Sequence, residues 1–174
     1  MLSVGIDPGV NGAVAVRRYH DVPTSWEFYI MPTHGSGKGE RRDVTLFALR
    51  DILKGILLDY HGLPRADLLV TIEKPPVIPG NHAVALASQH HNYGAILGML
   101  AAWSVGYTEV SPQSWQKLIL PDRPANKNLS QYQREKAGKA YTIAHVQKAY
   151  ALKLPTGEKG KVHDGCADAV CLAD

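Results

Sequence analysis

The sequence predicts an α/β fold in which a mixed five-stranded sheet is flanked by helices. Short apolar runs with strand character open the chain and recur near its middle, and apolar residues at helical spacing fill the intervals between the later runs. Clusters of Gly, Pro and Asn fall where one period gives way to the other. With 174 residues, 45% of them hydrophobic, the chain can bury one sizeable core, and residues 1–174 are expected to form a single domain.

Leu2–Ile6 is a first strand, Pro8–Gly12 a turn, Ala13–Arg17 a second strand and Trp26–Met31 a third, a meander with a Gly-rich first connection. The stretch MPTHGSGKGERRD is glycine-rich, charged and aperiodic, and is expected to be a mobile loop. From Asp43 onward Leu46, Leu49, Leu53, Ile56, Leu57 and Tyr60 share a helical stripe, which Gly62 and Pro64 end. Leu68–Ile72 is an unbroken apolar run, expected to be a buried strand, and Lys74-Pro75-Pro76 stops its pairing because proline has no N–H to donate.

Ala83–Trp103 is a long helix of small and apolar residues, and Tyr107–Val110 is the fifth strand. Ser111-Pro112 places a capping residue before proline at the first helical position, starting the helix of Trp115 and Lys117. Pro121–Gln133 is a polar loop, Arg134–Leu152 a basic helix, Leu154–Val162 a third loop, and the last helix carries Asp164 and Asp168.

No apolar run is long enough to span a membrane, and no basic, apolar leader opens the chain. Cys166 and Cys171 fall on roughly opposite faces of one helix and cannot bridge each other, as suits a reducing cytoplasm. The net charge is only +3, but residues 113–163 hold ten Lys and Arg against three acids. A basic face beside an acidic site suits a polyanionic substrate.

Four carboxylates carry the chemistry. Asp7 and Glu73 each end a strand, while Asp164 and Asp168 lie four apart on one helix face. Acids gathered at the ends of central strands are costly unless cations neutralise them. Oxygen-only ligands select hard ions, so two Mg²⁺ per site are expected, with Mn²⁺ as a substitute. Such a pair can hold the attacking water and the leaving 3′-oxygen of an in-line phosphoryl displacement.

The segments GIDPGVNGA, TIEKPP, ALASQHHNYGAILGMLAAW, VSPQSWQKLI and HDGCADAV, in this order, resemble the RuvC family of Holliday-junction resolvases, within the RNase H/retroviral-integrase superfamily. The resemblance spans nearly the whole chain and looks closest to the small phage-type members. It implies a homodimer, joined through the Ala83–Trp103 helix, that makes paired nicks in a four-way DNA junction and leaves 5′-phosphate and 3′-hydroxyl ends. By the same resemblance Asp7 bridges both metals, Glu73 holds one, and Asp164 and Asp168 serve the other. Lys117 and Lys127 match DNA-contacting lysines, and Lys74 and Pro76, one and three residues beyond Glu73, are expected to bind DNA with them.

Two positions depart from the bacterial pattern. Gly165 stands where bacterial members carry Asp or His three residues before the final acid, which leaves Asp164, or secondarily His163, to supply that group. Pro76, followed by Val77 and Ile78, stands where they carry a strand-opening aromatic. Plainer roles compete for each acid: Asp7 as a turn cap, Glu73 in an ion pair with Lys74 or a loop arginine, and Asp164 as the N-cap of the last helix. Rival functions are a sugar-kinase-like ATPase, for which one lobe is too short, a nuclease on RNA or other branched DNA, and a junction-binding protein without catalysis.

Overall fold

The structure, a computed structural model, describes residues 1–19, 24–35, 43–58, 67–76, 83–123, 128–157 and 160–174. Its main sheet has five strands: β1 (Leu2–Ile6), β2 (Ala13–Arg18), β3 (Ser25–Ile30), β6 (Leu68–Glu73) and β7 (Thr108–Val110), in the spatial order β3-β2-β1-β6-β7. The pairs β1–β2 and β2–β3 are antiparallel, and β1–β6 and β6–β7 are parallel, so the expected mixed sheet forms.

Two helices, α1 (Leu46–Leu58) and α2 (Ala83–Ala102), cover one face. There Leu2, Val4 and Ile6 of β1 join Leu49, Leu53, Ile96 and Leu100 in a single core. On the other face lies α5 (Asp164–Ala173), with α3 (Pro112–Ile119) and α4 (Gln131–Ala149) outside it; Ala13, Ala15, Trp115, Val146 and Val170 build the second core. Alternate β1 residues therefore serve opposite cores, as the two-residue strand period requires. Gly5 faces α5, and a Cβ there would overlap the Ala169 carbonyl oxygen and come within 2.6 Å of the Ala173 nitrogen. Only glycine lets α5 lie this close to the central strand.

The structure departs from the expectations in several places. Thr33–His34 (β4) and Asp43–Val44 (β5) pair as a small antiparallel ladder where only a loop was expected, and α1 begins at Leu46. Tyr60, the last member of the expected helical stripe, and the expected helix-ending Gly62 and Pro64 lie outside the described residues. Strand β6 is buried on one side only: Val70 and Ile72 are covered, but Leu69 is half exposed. Helix α4 starts three residues early, because Ser130 and Gln133 close a reciprocal capping box, and it ends at Ala149 rather than Leu152. Among the described residues no helix is long and apolar enough to cross a membrane.

Candidate active site

Parity places the first two carboxylates side by side. Ile6 and Ile72 are register partners on β1 and β6, and both point into the α1–α2 core. The next residue on each strand, Asp7 or Glu73, must then turn to the opposite face, toward α5. The Asp7 N–H donates to the Ala13 carbonyl at 3.0 Å, and the Gly9 N–H donates to Asp7 Oδ1 at 3.0 Å. The turn-capping role of Asp7 is therefore real, and it occupies one carboxylate oxygen. Just past Glu73, the Lys74 N–H donates to the Val110 carbonyl at 2.8 Å, holding the strand end against β7.

Helix α5 brings the second pair. His163 occupies the N-cap and makes no side-chain capping bond, so Asp164 is the first helical residue and is not the cap. Asp164 instead forms an ion pair with Lys139 of α4. Asp168 lies one turn further along the same face. The departure at Gly165 has a steric cause: a Cβ there would overlap the Asn11 carbonyl oxygen and lie 2.7 Å from the Gly12 Cα. The 9–12 turn thus leaves no room for a side chain at 165, and the second acid sits at 164. Gly165→Asp is expected to lower the melting temperature by about 2–12 °C, since it forces backbone apart and overpacking costs about 1–3 kcal/mol. An unchanged melting curve would contradict this packing.

Asp7, Asp164, Asp168 and Lys139 line one cleft of about 490 Å³, closed by the 9–12 turn and by Ser88 and Gln89 of α2. Burial, opposed by the Gly9 N–H, pushes the Asp7 carboxyl up to about 6, and the charge of Asp164 raises it further. Burial and the charges of Asp7 and Asp168 push Glu73 up to about 8. Burial and the charges of Asp7 and Asp164 push Asp168 up to about 7, although Lys139 and Arg123 pull it down. Burial alone would lower the Lys139 pKa, but Asp164 reverses that and raises it. Each of the three raised acids responds to at least one other carboxylate of the four, so these groups share a single electrostatic field.

Among the described residues, Glu73 forms no ion pair with Lys74 or any arginine. The Trp115 indole favours its ionised form, yet falls short of hydrogen-bond geometry. Among the described residues no three His, Cys, Asp or Glu side chains stand close enough together to hold a single ion. Lys117 is exposed in the last turn of α3, Lys74 is exposed and Pro76 partly covered; Lys127, Arg41, Arg42, Val77 and Ile78 lie outside the described residues. The His163 Nδ1 faces the Cys166 sulfur at 3.7 Å, and both cysteines are free and buried. Lys139 and Arg123 are two of the ten basic residues in 113–163, and no sequence pattern sets either apart; the packing of α4 on α5 singles out Lys139.

No family model matches the chain, and no curated protein matches it. Among solved structures, one described as T. thermophilus RuvC in complex with Holliday junction substrate superposes with a TM-score of 0.57 at 13% identity, covering 99% of this chain and 90% of that one. Another Thermus thermophilus RuvC structure gives a TM-score of 0.50 at 15% identity, covering 99% and 91%. At such identities the likeness is one of architecture, and the fold of this chain is the RuvC fold.

Proposed function

We propose that the chain is a metal-dependent endonuclease that resolves four-way DNA junctions, residues 1–174 acting as one nuclease domain. The observation that carries this reading is the convergence of Asp7, Glu73, Asp164 and Asp168 on one face of a RuvC-type sheet, where burial and mutual repulsion hold Asp7, Glu73 and Asp168 above their ordinary pKa values. That one of the structural neighbours was solved with a Holliday junction supports the choice of substrate.

Asp7, Glu73, Asp164 and Asp168 would hold two Mg²⁺, with Mn²⁺ as a substitute. The donors fit: all are oxygens, and their crowded negative charge is what hard cations relieve. When bound, such ions activate water and stabilise the departing 3′-oxygen. The chain's own residues do the rest. The Gly9 N–H fixes one Asp7 oxygen, so the other keeps a set direction into the cleft. Lys139, paired with Asp164, offsets part of the negative charge gathered in the cleft. In the overall step, water adds to phosphorus, the P–O3′ bond breaks, and the proton lost by water ends on the 3′-oxygen or in solvent. The products are a 5′-phosphate and a 3′-hydroxyl.

Symmetric nicks require two copies. Ala87, His91, Gly94, Gly98 and Ala101 form an exposed stripe along α2, and nothing lies within 4 Å of where a Cβ at Gly94 or Gly98 would stand. This is the surface proposed to pair the protomers about a two-fold axis. Gly94→Arg or Gly98→Arg should leave the monomer folded but halve the mass seen by sedimentation equilibrium, and should turn paired nicks into isolated ones. A dimer of undiminished affinity in both variants would remove α2 from the interface.

The activity is tested by incubating the protein with a labelled four-way junction, a replication fork, a flap and an RNA–DNA hybrid in Mg²⁺. Paired, symmetry-related cuts in the junction are the expected result. Faster cutting of RNA or flaps would replace the substrate, and tight junction binding with no cutting would reduce the protein to a binding module.

A further inference from the structure

Arg123 closes the turn after α3, its backbone N–H donating to the Leu120 carbonyl at 3.0 Å. Its side chain crosses to α4. A Cβ at Gly138 would overlap Arg123 Nη2 and lie 2.8 Å from Cζ and 3.0 Å from Nε. The guanidinium therefore rests on helix backbone where a side chain is missing, and Gly138 is buried. The neighbouring residue is Lys139, which lines the carboxylate cleft. The charge of Arg123 reaches Asp168.

Despite that proximity, among the described residues no carboxylate forms an ion pair or a hydrogen bond with Arg123. A guanidinium cannot lose its proton and cannot ligate a metal. Partly covered, within reach of Asp168 and, among the described residues, paired with no carboxylate, its planar fork of donors is left for an anion that enters from outside. A phosphodiester oxygen pair matches that fork in a bidentate way, whereas the point charge of Lys139 is already engaged by Asp164.

We propose that Arg123 clamps a phosphodiester group of the substrate beside Asp168, and that the missing side chain at Gly138 is what lets it reach that position. The proposal rests on the nuclease reading above. It gives Gly138 a role that helix stability does not explain, since alanine is the stronger helix former. Gly138→Ala moves only the tip of a flexible side chain, so α4 should survive and the guanidinium should be displaced.

The test uses Arg123→Ala, Arg123→Lys, Gly138→Ala and the double variant Arg123→Ala/Gly138→Ala. Single-turnover cutting of a four-way junction in Mg²⁺ should fall about a hundredfold in Arg123→Ala and in Gly138→Ala, and more than about tenfold in Arg123→Lys, where charge survives but the fork does not. The double variant should be no worse than either single change. In EDTA, where nothing is cut, the slope of log affinity against log salt should become shallower by about one phosphate contact in Arg123→Ala and Gly138→Ala alike. The melting temperature of Gly138→Ala should match or exceed that of the wild type.

A Gly138→Ala protein with wild-type rate and slope overturns the proposal, as does a double variant whose losses multiply. A wild type that binds junctions but cuts none removes the nuclease reading; the slopes in EDTA then decide the clamp, and unchanged slopes overturn it. If Gly138→Ala melts well below the wild type, the Arg123→Ala slope decides instead.

Discussion

Asp7→Asn is expected to abolish strand cutting, lowering the single-turnover rate by about a thousandfold or more, or about 4 kcal/mol of barrier. The size follows from position. Asp7 ends the central strand, and its charge raises both Glu73 and Asp168. Asparagine keeps the shape, and its carbonyl can still accept the Gly9 N–H that shapes the 9–12 turn, so the loss should come from charge alone. Junction affinity in EDTA should change by less than about threefold, because the phosphates are met by lysines and arginines elsewhere. Glu73→Gln and Asp168→Asn should behave alike. Cutting by Asp7→Asn within tenfold of the wild type would mean that the carboxylate cluster is not the catalytic centre.

Much of this geometry can be read in advance, and the reasons are local. The two-residue strand period and the turn glycines delimit β1 and β2, and the same parity tells which way Asp7 and Glu73 face. The spacing of four between Asp164 and Asp168 needs only a helix. What was hidden depends on partners far away in sequence. The β4–β5 ladder has two residues in each strand, too few for any period to register. The exposure of Leu69 follows from how little of that sheet face the helices cover, which a run of apolar letters does not record. The capping box at Ser130 and Gln133 was legible, but a polar stretch without periodicity precedes it and masks the boundary. Lys139 is one of several basic residues on α4, and only the docking of α4 against α5 singles it out.

The metal-free protein is expected to lose stability as pH rises from about 4 to about 8, and divalent ions should restore it. Asp7, Glu73 and Asp168 titrate near 6, 8 and 7 in the fold, against ordinary values of 3.8 for aspartate and 4.5 for glutamate. Below the lower values all three are protonated whether the chain is folded or not, and no penalty arises. As pH rises the unfolded chain releases its protons first, the folded chain holds more of them, and stability falls until the folded groups ionise too. A carboxyl held one pH unit above its ordinary value costs the fold about 1.4 kcal/mol once ionised, but the three groups are coupled and their costs do not add. Glu73, displaced furthest, gives the clearest test. In EDTA at pH 8.5, Glu73→Gln should exceed the wild type by up to about 5 kcal/mol, or about 10–20 °C in melting temperature, and at pH 4 the two should coincide. With Mg²⁺ at pH 8.5 the order should narrow or invert, because the wild type gains binding energy that the variant lacks. Melting curves that stay parallel across pH and do not respond to the ion would show that the four acids neither repel one another nor form a cation site.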